Sequence, residues 1–139
     1  MRRVLIDKRI LDGFKRRARK VYPLEVMEIV VGEIRGEDTV VLSFQAVDHI
    51  ASEGEIAVDD EDFLNTEQER YRHDVLGTIH SHPNDTVEPS LRDKRSAKKD
   101  GEVIYGICAI TRSPAGRRYV SWGFWDGKTH KQLELVISE

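Results

Sequence analysis

The chain has 139 residues, 22 Lys and Arg against 25 Asp and Glu, and a formal net charge of −3. This length buries a core without staples and fits one domain spanning residues 1–139. Composition excludes three classes: one cysteine rules out an internal disulfide or a Cys-based zinc cluster, the slight negative charge argues against nucleic acid as main partner, and strand-length apolar runs leave no signal peptide or membrane span, so a cytoplasmic protein is expected.

Val4-Leu5-Ile6 reads as an edge strand or the entry to a helix. Asp7 is placed as an N-cap, and Ile10, Phe14, Ala18 and Val21 recur at helical spacing, so residues 8–22 are predicted as an amphipathic helix ending at Pro23. Lys15, Arg16, Arg17, Arg19 and Lys20 make it basic, which reads first as a solvated face. Residues 25–34 are rich in Val, Ile and Met and predict a buried strand. Alternation puts Glu25 on one face with Met27, Ile29 and Val31, and Glu28 on the other with Val26 and Val30. A carboxylate inside a central strand needs a reason, and the residues alone leave Glu25 and Glu28 equal candidates for a functional acid.

A turn at 35–38 leads to a return strand over 39–47, and a third strand is expected near 55–58. The acidic run Asp59-Asp60-Glu61-Asp62 suits a helix N-terminus, predicting a helix over about 60–72 with Phe63, Leu64 and Tyr71 inward. The His73-Asp74 pair lacks further ligands of an HD-type site. Residues 83–89 form a loop, and a basic helix runs from Ser90 to about Lys99. Residues 102–111 form a buried strand holding Cys108, which reads as an inert thiol. Ser113-Pro114-Ala115-Gly116 makes a hairpin turn into an alternating strand over 117–125, whose Tyr119, Trp122, Phe124 and Trp125 are core or sheet-face aromatics. The tail, 131–139, is a strand or a short helix.

The chemistry concentrates between Gly77 and Asp93. His80 and His82 at i and i+2 share one face of a strand that Pro83 stops. Ser90 reads as a helix N-cap, and Asp93 in the first turn is placed to point back at the strand end. Ser90 and Asp93 alone would be an ordinary capping box; with two histidines they become part of a candidate site. Two imidazoles and a carboxylate with a fourth position open to water is the design of a catalytic Zn²⁺ site. Competing patterns fail. A metallo-β-lactamase H-x-H-x-D-H would need the acid one place before Asp85 and a following His; H-E-x-x-H is absent; a nucleoside deaminase needs P-C-x-x-C.

His80-Ser81-His82-Pro83, then Ser90, then Asp93 resembles the H-x-H-P-x6-S-x2-D motif of the JAMM (MPN+) zinc metalloproteases. Leu24-Glu25-Val26-Met27, with Gly32 seven residues after Glu25, is similar to that family's glutamate strand. The resemblance implies an α/β fold, a curved mixed sheet flanked by helices of the cytidine-deaminase-like kind. It implies Zn²⁺ held by His80, His82 and Asp93, with Glu25 as general base and Ser90 donating to the developing oxyanion. The implied activity is hydrolysis of a peptide or isopeptide bond, with a ubiquitin-like protein or its conjugates as substrate, at the C-terminal glycine. The alternatives are a non-catalytic MPN scaffold, or a zinc amidase acting on another carrier-protein adduct. Many family members have a small residue where this chain has Glu28, a departure that implies a polar lining or a partner charge nearby.

Overall fold

The computed structural model describes residues 3–46, 50–52, 55–57, 75–83 and 86–139. In chain order these form β1 (Arg3–Asp7), α1 (Lys8–Val21), β2 (Met27–Arg35), β3 (Asp38–Ala46), β4 (Ile50–Ser52), β5 (Glu55–Ala57), β6 (Val75–Pro83), α2 (Leu91–Asp100), β7 (Ile104–Arg112), β8 (Arg118–Asp126) and β9 (Glu134–Ser138). The expected helix over 60–72 and the His73-Asp74 pair lie outside the described residues.

Seven strands make one mixed sheet in the order β8-β7-β6-β2-β3-β1-β9, while β4 and β5 pair separately. The β6–β7, β1–β3 and β1–β9 pairs are parallel; the others are antiparallel. The sheet curves until it nearly closes. Leu133 N–H donates to the Phe124 carbonyl at 2.8 Å and Asp126 N–H to the Lys131 carbonyl at 2.9 Å, so the chain entering β9 runs beside the end of β8. Part of this curvature arises in β2, whose register shifts against β6 between Val30 and Val31 and against β3 between Val31 and Gly32. Gly32 is required there: a Cβ would stand 2.1 Å from the Val40 carbonyl oxygen.

β1 is a strand but not an edge, since β3 and β9 flank it on both sides. Three apolar residues carry no trace of a partner that arrives from the far end of the chain. The tail resolves as strand β9.

Asp7 caps α1 through the Arg9 N–H, and the helix buries Leu11, Phe14 and Ala18 against one sheet face. Phe14 meets Phe44 edge-on at 5.7 Å and Trp122 at 6.1 Å between ring centroids. Val4, Ile6, Val30, Val41, Ile79, Cys108 and Phe124 complete this core. Burial pushes the Cys108 thiol up to about 12, so it stays protonated and inert. A smaller cluster of Ala97, Tyr105, Ile107 and Trp125 lies under α2.

Arg17 leaves the basic face of α1 to meet Glu28. Nε lies 2.6 Å from Oε2 and Nη2 2.8 Å from Oε1, a bidentate pair in which Glu28 is 2% exposed. This is the partner charge that Glu28 requires. Its two ends are unequal, because the Arg17 side chain is 45% exposed and can turn to water. Arg17→Met strands a buried carboxylate and is expected to cost about 3 kcal/mol, whereas Glu28→Gln leaves only a rehydrated guanidinium and costs about 1 kcal/mol. Urea unfolding of the two variants checks this asymmetry; equal losses would contradict it.

Candidate metal centre

β6 lies between β2 and β7, with His80 opposite Met27 on one side and Ile107 on the other, and His82 opposite Ala109. Residues paired across a sheet share a face, so both histidines stand with Ile107 on the face that α2 covers. Ile79 and Glu28, also paired, stand on the α1 face. Ser81, fully buried between the histidines, accepts the Val26 N–H on Oγ at 2.9 Å, and its own N–H donates to the Val26 carbonyl at 2.9 Å. These two bonds clamp the Glu25-Val26 segment, just ahead of β2, against the end of β6. Glu25, His80 and His82 thereby bring ligand atoms within 4.8 Å of one another.

Asp93 arrives from α2. Ser90 Oγ accepts the Asp93 N–H at 3.0 Å, and the Asp93 carboxylate accepts the Ser90 N–H at 2.8 Å, a complete capping box. The cap also aims the carboxylate. Its oxygens stand 3.3 Å from Nε2 of His80 and 3.5 Å from Nε2 of His82. The Ser90 oxygen uses a lone pair in the cap, so its O–H proton remains free to donate.

The His82 tautomer is set by its neighbour. Nδ1 lies 3.2 Å from the Thr86 carbonyl oxygen, which only accepts, so Nδ1 carries the proton and the neutral ring presents a lone pair at Nε2. That Nε2 is 2.8 Å from Nε2 of His80. Two nitrogens this close need a proton or a cation between them. With the Asp93 carboxylate beside them, the donor set fits a zinc ion, which takes imidazole nitrogen and carboxylate oxygen.

The charges respond as a coupled group. Burial alone would raise the Asp93 carboxyl, but hydrogen bonds from both imidazoles, the charge of His80 and the Ser90 N–H hold it well below the usual carboxylate range. Burial opposes a charge on His82, yet Asp93, the Thr86 carbonyl and Glu25 outweigh it and raise the ring's pKa. Glu25 moves upward because it is buried; the two imidazoles and Arg92 offset this only in part.

The structure thus brings together all five residues that the sequence singles out: Glu25, His80, His82, Ser90 and Asp93. It adds Ser81 and the Thr86 carbonyl, which sequence reasoning missed. Ser81 fills a variable place in the motif, and a backbone carbonyl leaves no residue signature.

The family model for prokaryotic homologs of the JAB domain matches residues 7–124. The chain belongs to that family. Solved structures share its fold. One is a Desulfitobacterium hafniense protein solved in solution, with a TM-score of 0.68 at 20% identity, covering 98% of this chain and 93% of that one. A second is a JAB1/MPN domain protein from Archaeoglobus fulgidus, with a TM-score of 0.62 at 16% identity over 98% of both chains. A third is described as JAMM, a metalloprotease-like zinc site in the proteasome and signalosome, with a TM-score of 0.61 at 17% identity over 99% of both. A search of curated protein sequences found no significant match.

The capping box of this JAB domain yields a stability prediction. Ser90→Ala removes one N-cap acceptor and is expected to lower the unfolding free energy by about 1 kcal/mol, while Ser90→Thr recovers most of it. Urea unfolding of the zinc-free proteins measures both.

Proposed function

We propose that this JAB domain is a zinc-dependent peptidase or isopeptidase. The reading rests on one observation: Glu25, His80, His82, Ser90 and Asp93 converge at one end of β6. His80, His82 and Asp93 would hold Zn²⁺. Bound there, zinc supplies a Lewis acid that polarises a carbonyl and makes water more acidic.

Each side chain then has a task that its surroundings suit. Glu25 is buried and, among the described residues, has no bidentate cationic partner of the kind Glu28 has; its raised pKa fits a group that takes a proton from the attacking water and returns it to the leaving amine. Its position ahead of β2, beside His80 and His82, would also let it bind an ion held there; the roles differ in that a base leaves metal content unchanged when neutralised. Ser90 donates its free O–H to the oxygen on which negative charge grows. The substrate we infer is a ubiquitin-like protein joined through its C-terminal glycine. An extended tail ending in glycine lets the backbone approach the metal closely.

Elemental analysis of zinc-loaded protein is expected to give one zinc per chain, and His82→Ala to lose it. Glu25→Gln is expected to keep zinc and lose turnover by about 10²–10⁴ on conjugates of ubiquitin-like proteins. Glu28→Gln is expected to keep most turnover, since it lies on the other face. If Glu28→Gln abolished turnover while Glu25→Gln left it intact, the assignment of the base would fall. A wild-type chain that takes up zinc but cleaves no such conjugate would overturn the proposed substrate.

A further inference from the structure

We propose that Trp125 is a positioning residue of the metal centre, acting through the loop between His82 and α2. The inference rests on the proposed zinc site and extends it to a residue of β8 outside that site.

Trp125 pairs directly with Tyr105 across β7 and β8, and both pack in the small cluster under α2 with Ile107 and Ala97. A buried indole N–H needs an acceptor. Here it is the Val87 carbonyl, at 3.1 Å. Val87 itself packs against the same cluster. Gly123 makes room for it, since a Cβ at 123 would stand 3.0 Å from the Val87 Cβ. The loop is therefore seated on β8 by one close approach and one directed hydrogen bond.

The consequence lies one residue earlier. The Thr86 carbonyl, adjoining the peptide that Trp125 holds, is the acceptor for His82 Nδ1. Successive carbonyls of one loop thus face two elements: Val87 is held by β8, and Thr86 holds the imidazole. Fixing Val87 fixes where the Thr86 oxygen sits, and that oxygen keeps the proton on Nδ1 and the lone pair on Nε2. Groups that orient a ligand imidazole in this way typically contribute roughly 10- to 100-fold in metal affinity. The same loop runs on into Ser90, so its seating also sets where α2 begins and where Asp93 points.

Trp125→Phe keeps most of the ring and removes the N–H. Benzothienylalanine at 125 replaces the N–H by sulfur and keeps the full shape, which covers the case in which Phe packs too poorly to fold. Tyr105→Phe is the matched control. It removes another hydrogen-bonding group from the same cluster, a hydroxyl 3.1 Å from His130 Nδ1, with no bond to the described residues of the loop. Zinc affinity, measured by chelator competition with Zn²⁺ alone, is expected to fall about tenfold in both Trp125 variants and to change less than about twofold in Tyr105→Phe. In the zinc-free proteins, held alkaline enough for His82 to be neutral, nitrogen chemical shifts of His82 are expected to show the Nδ1–H tautomer in wild type and Tyr105→Phe, and a tautomer mixture in the Trp125 variants. Wild-type affinity together with an unchanged tautomer in the Trp125 variants would overturn the proposal, as would an equal loss in Tyr105→Phe. A wild-type chain that takes up no zinc would instead sink the metal-site reading, and the tautomer measurement would still decide the role of Trp125.

Discussion

The antiparallel register between β2 and β6 governs the rest of the molecule. It sets Met27 opposite His80 and Glu28 opposite Ile79. Because side chains alternate with a period of two, this choice decides which glutamate meets the histidines and which meets α1. A slip by one residue would exchange the two faces, drive Glu28 toward the histidines and leave Arg17 without its carboxylate. The Arg17–Glu28 pair therefore acts as a register lock. The observed register matches the buried charge on that face.

The two buried glutamates are treated oppositely, and the contrast has chemical content. Glu28 receives both arms of a guanidinium and is a structural ion pair. Glu25, also buried, faces imidazoles and a carboxylate, and its pKa rises. Burial without a fixed cation favours the neutral form of a carboxyl. The fold produces both environments within four residues, with Glu25 just ahead of β2 beside the histidines and Glu28 inside β2 on the face toward α1.

Strong local signals made much of the fold legible. The Asp7 cap and the period of Ile10, Phe14 and Ala18 announce α1, and Pro23 announces its end. The alternation from Arg117 onward announces β8, and Gly116, at φ 84°, closes the hairpin before it. The candidate site was legible for the same reason. Two histidines two apart on a strand, and an acid three residues after a cap, are each fixed by geometry that reaches only a few residues. Illegible were the partners of β1, the counter-charge of Glu28, and the clamp that Ser81 places on Val26.

The sequence by itself determined the local vectors: a strand that presents His80 and His82 to one side, and a capped helix that aims Asp93 back along its own axis. These arise from backbone periods and from hydrogen bonds that close within four residues. Only the tertiary structure decided that Glu25 completes the group, that Arg17 neutralises Glu28, and that the loop after His82 rests on Trp125. Each of these joins residues from 11 to 55 positions apart. Contacts at such separations depend on strand order, sheet curvature and which faces the two helices cover. Those are properties of the whole packed chain, and no short stretch of residues encodes them.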